Sequence, residues 1–155
     1  MSRLTGSGIT VDVPSGWEGR IYSKGSPGPR GAAVQHSPEN AVVHVASFPL
    51  PPGTGDYGGG AVEQMTNKDL LVVLMEHGRQ SASTPLFAAT GIPRITTDDV
   101  STTCLQRLID GQGGAQQFFT VNGRAFCLYV VFGSYARRVR TIPLVNDIVK
   151  SLTIT

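Results

Sequence analysis

Charge is scarce in this 155-residue chain: Lys, Arg, Asp and Glu make up 15% of it, and the formal net charge is +2. A typical domain carries about 25% charged residues. So weak a field neither steers nucleic acid nor holds an anionic lipid surface, and no nucleic-acid partner is expected. Long apolar runs are also missing. The longest, Leu70-Leu71-Val72-Val73-Leu74-Met75, falls far short of the roughly 20 residues of a membrane span. No apolar stretch follows Met1-Ser2-Arg3-Leu4-Thr5-Gly6-Ser7-Gly8, so no secretory signal is expected and the cytoplasm is the expected compartment. There are only two cysteines and three histidines, with no Cys-x-x-Cys and no His-x-x-Glu-His, so no metal site is expected. Gly-Lys-Ser/Thr and Gly-x-Ser-x-Gly are absent, which removes the P-loop and the nucleophile elbow. The expectation is a protein that is not an enzyme, with no catalytic, cofactor-binding or metal-binding residues.

What is present is an ordinary globular composition. Hydrophobic residues make up 40% of the chain. A chain of this length buries roughly 68–70% of its unfolded surface and needs no staple, so residues 1–155 read as one domain. Ile9-Thr10-Val11-Asp12-Val13 alternates like a half-buried strand; Pro14-Ser15-Gly16 is a turn, and Trp17 to Tyr22 reads as the return. Ser23 to Gly31 is loop. Ala32–Gln35 and Ala41–Phe48 read as a second hairpin about Ser37-Pro38-Glu39-Asn40, in a register that sends His36 and His44 to opposite faces. Pro49 to Gly60 is a surface loop. Asn67 to His77 reads as a helix, capped by Thr66 with Asp69 three residues on and ended by Gly78, with strand as the alternative because of Val72 and Val73. Thr103–Ile109, Gln116–Val121 and Arg124–Phe132 read as a three-stranded meander. Asn122-Gly123 is the strongest turn signal in it, and a Val121–Arg124 pairing puts Phe119, Val121, Phe126, Leu128, Val130 and Phe132 on one face. Ile142 to Leu152 is an amphipathic helix, with Ile142, Val145, Ile148, Val149 and Leu152 on one side and Pro143 in its first turn. The expected fold is therefore α+β: an antiparallel sheet of hairpins packed with a helix in the N-terminal half and a C-terminal amphipathic helix.

Ile9-Thr10-Val11-Asp12-Val13-Pro14-Ser15-Gly16-Trp17, followed much later by the strand Phe126–Phe132 and a helix containing Asn146-Asp147-Ile148-Val149-Lys150-Ser151-Leu152, resembles the PsbP-like superfamily. That resemblance implies a PsbP-like fold and a non-enzymatic binding, assembly or chaperone-like role. It carries over no site residues, and the chain has no lipobox cysteine near its start.

Four features bear on function. Gly53-Thr54-Gly55-Asp56-Tyr57-Gly58 matches G-x-G-x-x-G, but Pro49-Leu50-Pro51-Pro52 separates it from the preceding strand, so a surface loop is expected and no cofactor. Cys104 and Cys127 fall in predicted strands two places apart, about 9–10 Å, beyond the roughly 7 Å Cα reach of a disulfide, so both thiols are expected free. Arg137, Arg138 and Arg140 form the one basic cluster, a candidate site for an anionic partner. The 67–78 helix is apolar nearly all round, so Leu71, Val72 and Met75 are a candidate surface for a protein partner or for self-association. The first functional reading is a non-catalytic protein-binding accessory, assembly or chaperone-like module. One alternative is a small-molecule-binding protein or enzyme using the loop 53–60 as a lid; another is a structural subunit of a larger assembly.

Overall fold

The computed structural model describes residues 1–26 and 35–155, leaving the side chains of residues 24–26 and 35–40 undescribed. The fold is α+β, with two antiparallel sheets and a C-terminal helix. Strands β1 (Ser2–Gly6), β2 (Ile9–Val13) and β8 (Thr153–Ile154) form one sheet in the order β1-β2-β8. Strands β3 (Glu18–Ser26), β4 (Gln35–Ala46), β5 (Leu70–His77), β6 (Gly113–Val121) and β7 (Arg124–Phe132) form the other, in the order β3-β4-β5-β7-β6. Helix α1 spans Arg138–Lys150.

The β6–β7 hairpin and α1 follow the sequence most directly. Asn122 (φ 51°) and Gly123 (φ 74°) are both left-handed, as a two-residue type I′ turn requires, and Val121 pairs with Arg124. That register sends Phe119, Phe126, Leu128, Val130 and Phe132 into one buried cluster with Val121 packed against it. The apolar side of α1, Ile142, Val145, Ile148 and Val149, joins the same cluster together with Leu152 just past the helix. Helix α1 begins four residues before the expected start, so Pro143 sits in its second turn, where its missing N–H removes one i→i−4 bond.

Five expectations are corrected. Residues 67–78 contain a strand, not a helix: β5 is a central strand with a neighbour on each side, and Leu70 to Glu76 are all buried. An unbroken apolar run fits a strand covered on both faces as well as it fits a helix. The Thr66/Asp69 pattern is real but closes a turn, with the Thr66 N–H and Oγ1–H donating to Asp69 Oδ2 at 2.8 and 3.0 Å. Thr96 and Asp99 repeat those bonds at the same distances around the 3₁₀ turn 97–99, and neither motif opens an α-helix.

The second expected hairpin is likewise absent. Residues 35–46 are one continuous strand, and Ser37–Asn40 lie at a register shift against β3, where Ser23 pairs with Ala41 but Gly25 pairs with His36. The turn residues make an irregularity in the ladder rather than a reversal. Residues 23–26 of the expected loop 23–31 are the end of β3, and the rest of it, with most of the expected strand 32–35, lies outside the described residues. Strand β2 does not pair with its sequence neighbour β3. The Pro14–Trp17 turn passes the chain between sheets, and β2 pairs instead with β1 and β8. Thr103–Ile109 is irregular; Ser101, two residues before it, bridges Gly114, and a Cβ at Gly114 would collide with the Cys104 carbonyl.

The five-stranded sheet therefore has two covered faces. On one lie Val43, Val45, Leu70, Val72, Leu74 and Leu128, packed under the three-stranded sheet, α1, Ile95 and Val100. On the other lie Val42, Leu71, Val73, Met75, Cys127 and Val131, packed under the segments that carry Leu50, Tyr57, Val62, Leu105 and Ile109. Among the described residues, the first face contains a charged pair. Arg124 Nε and Nη2 donate to Glu76 Oε2 and Oε1, both at 2.8 Å, with the two side chains 6% and 0% exposed. Arg124 also donates to the Ser7 carbonyl at 2.9 Å and the Thr155 carbonyl at 3.1 Å, which ties the two sheets together.

Candidate functional site

The loop-covered face is where the polar chemistry gathers. His44 pairs with Val73, which pairs with Tyr129, so one row across the sheet places an imidazole and a phenol on that face. Arg20 pairs with His44 from the edge strand β3, and Tyr22 stands two residues on. The Gly-rich loop 53–60 lies on these side chains. Tyr22 donates to Asp56 Oδ1 at 2.5 Å, and Arg20 Nε donates to His44 Nδ1 at 3.1 Å. With Nδ1 accepting, the imidazole proton is on Nε2, which donates to the Asp56 carbonyl at 2.8 Å. The Tyr22 and His44 rings meet edge-on at 5.5 Å between centroids.

Burial governs the acid–base character of this face. It holds His44 below the ordinary histidine range, outweighing the Asp56 carbonyl that pulls the other way. It pushes Tyr22 well above the ordinary phenol range, and the hydrogen bond to the Asp56 carboxylate adds to the shift. Tyr57 and Tyr129 are raised by burial too, as are the Cys104 and Cys127 thiols. Both cysteines are free, and Cys127 accepts a bond from Gln116 Nε2 at 3.3 Å. Burial disfavours the thiolate at both cysteines, and both nitrogens of the His44 imidazole are hydrogen-bonded.

Beside this network a cavity of about 430 Å³ opens between the sheet and two loops. Its floor is Tyr129 and Val131; Tyr57, Val62 and Leu105 form its walls. The Tyr57 and Tyr129 rings meet edge-on at 5.4 Å, and the Tyr129 hydroxyl accepts the Gln106 N–H at 2.8 Å, which fixes the second loop to the sheet. Glu63 and Arg107 stand at the mouth, 3.7 Å apart. A second groove of about 420 Å³ runs between Ile92–Arg94 and α1. Its buried polar residue, Asn146, is engaged with the Ile95 backbone through both side-chain atoms at 2.9 Å. The charged side chains of Arg94, Asp147 and Lys150 also line it, but it lacks the aromatic walls of the first cavity.

The glycines of the G-x-G-x-x-G match do not present amides to a phosphate. Gly55 N–H donates to the Gly59 carbonyl and Gly58 N–H to the Gly55 carbonyl, both at 2.8 Å. The flanking strands β4 and β5 are antiparallel neighbours, with none of the βαβ geometry a dinucleotide site uses. Among the described residues no three His, Cys, Asp or Glu side chains gather as a metal site. Nor, among the described residues, is any helix long and apolar enough to cross a membrane.

The residues singled out in the sequence fare unevenly. Leu71, Val72 and Met75 are 0%, 4% and 1% exposed; they are inside the sheet rather than on a surface, because β5 has a covered face on either side. Arg137 and Arg138 are half-buried where α1 begins. Arg138 lies over the Tyr135 ring at 3.9 Å and donates to the Tyr135 carbonyl at 3.0 Å, while Arg140 is exposed. Cys104 is in a loop, not a strand. The His36 side chain lies outside the described residues. The sequence reading missed Tyr22, His44 and Tyr129; the available signal was a histidine inside the apolar run Ala41–Ala46.

No family model, no curated protein and no solved structure matches this chain.

Proposed function

We propose that the chain is a non-catalytic binding module whose site is the cavity beneath the loop 53–60, and that its ligand is a small molecule. The cavity itself carries this reading: about 430 Å³ is within the range of small-ligand sites, with aromatic and aliphatic walls and a few polar groups at the rim. The burial of His44 and of the nearby Cys127 thiol, both of them hydrogen-bonded, favours binding over chemistry. The PsbP-like resemblance, with its non-enzymatic members, supports the same direction. A protein partner seated on Leu71, Val72 and Met75 would require the sheet to open, so the small-molecule alternative takes precedence over the partner-binding one.

The test is occlusion. Gly59 lines the cavity, and a Cβ built on it meets nothing within 4 Å, so Gly59→Leu adds bulk at the mouth without strain. Indole and phenol, screened by ligand-observed NMR and by their effect on the melting temperature, should bind the parent and bind Gly59→Leu at least tenfold more weakly. Equal binding to both proteins, or none to either, defeats the proposal.

A further inference from the structure

The mouth of the cavity narrows the class of ligand. Glu63 accepts the Gly60 N–H through both carboxylate oxygens, at 3.1 and 3.3 Å, so its position is set by the loop. Arg107 reaches it from the opposite loop with a single long contact of 3.7 Å, and the Arg107 side chain is 68% exposed. An exposed pair of this length holds together weakly and exchanges readily with other charges. It places a fixed anion beside a movable cation directly above an apolar, aromatic chamber. A molecule with its own adjacent ammonium and carboxylate, and an apolar or aromatic body, could replace both halves of that pair at once while its body fills the chamber. A singly charged ligand would satisfy one half and leave the other without its counter-ion.

We propose that the cavity binds a small zwitterion of the amino-acid type with an aromatic or bulky apolar side chain, its carboxylate on Arg107 and its ammonium on Glu63. This rests on the reading of the cavity as a ligand site and adds the chemistry of the ligand.

The probes are L-tryptophan and L-phenylalanine, the singly charged 2-phenylethylamine and 3-phenylpropionate, and neutral indole, each titrated into the full chain by calorimetry. The zwitterions should bind at least tenfold more tightly than any of the other three. Arg107→Gln should bring L-phenylalanine down to the affinity of 2-phenylethylamine. Glu63→Gln, which keeps an acceptor for Gly60 N–H, should bring it down to that of 3-phenylpropionate. Both positions are at the rim, so circular dichroism should report unchanged melting in the two variants. If indole binds as tightly as L-tryptophan and the rim variants alter neither, the charge pair is not used: the zwitterion proposal falls while the cavity reading stands. If no probe binds the parent, both fall together.

Discussion

The two faces of the five-stranded sheet are built on different principles. One is covered by the three-stranded sheet, α1 and the segment of Ile95 and Val100, and buries the Glu76–Arg124 pair among apolar side chains. The other is closed by loops, and its polar groups pin those loops down: Tyr22 and His44 hold Asp56, and Tyr129 holds Gln106. Packed elements leave little space between them. Loops held at a few polar points span the sheet with gaps, and the cavity is such a gap. A groove of similar volume lies on the side of the first face, between Ile92–Arg94 and α1, so what sets the loop-covered face apart is its polar anchoring and its aromatic cavity walls.

The sharpest way to test this division is to break the ion pair on the first face. Arg124→Met leaves the Glu76 carboxylate buried without its partner, which should cost about 3–5 kcal/mol in urea unfolding. Adding Glu76→Leu should recover most of that loss, because the burial of a lone charge is the main penalty. A double variant as unstable as the single would show instead that the bonds from Arg124 to Ser7 and Thr155 dominate.

A smaller effect separates glycines within the loop on the other face. Gly58 has φ 88°, and a Cβ there would run into Leu71 Cδ2 and lie 3.2 Å from Val62 Cγ1. Gly53 has φ 77° with nothing within 4 Å. Gly58→Ala should therefore cost about 1–3 kcal/mol through overpacking on top of backbone strain, and Gly53→Ala only about 1 kcal/mol through strain alone. Equal losses would mean that the loop does not press on the sheet at Gly58.

The smallest effect is in pH. Because burial lowers the folded-state pKa of His44, the unfolded chain takes up a proton first as pH falls below about 6.5. The stability due to neutral His44 is complete above that pH and is lost as pH falls toward the folded pKa, with a slope of at most about 1.4 kcal/mol per pH unit for one proton. Melting curves between pH 7.5 and 5.5 should show His44→Gln less acid-sensitive than the parent. Matching slopes would remove His44 from the acid response.

How much of this was legible in the sequence follows the same division. The β6–β7 register could be read because Asn122-Gly123 specifies a turn with both central residues at positive φ, and that turn sets every side chain after it. The buried side of α1 could be read because its apolar spacing has one period. Strand β5 could not, since six consecutive apolar residues carry no period, and Thr66-Asn67-Lys68-Asp69 supplies a helix-start pattern that here serves a turn. The loop-covered face was least legible. Tyr22, His44 and Asp56 meet across spacings of 34 and 12 residues, and no local pattern reports on such encounters. The loop 53–60 was marked by its glycines as a candidate lid, but its counterpart, Leu105–Arg107, lies in a segment whose composition suggested a strand.

The pairing of β2 with β8 has a consequence for synthesis. Asp12 N–H donates to Ser151 Oγ across 139 positions, and Thr155 Oγ1 donates to the Gly8 carbonyl across 147. The β1–β2 hairpin is synthesised well before β8, so the second edge of β2 has no partner until residues 153–154 emerge. An isolated two-stranded hairpin is marginal in water, and contacts this distant in sequence close slowly. Until then the nascent chain carries Ile9, Val11 and Val13 without the helix and strand that cover them, an apolar hairpin open to other contacts.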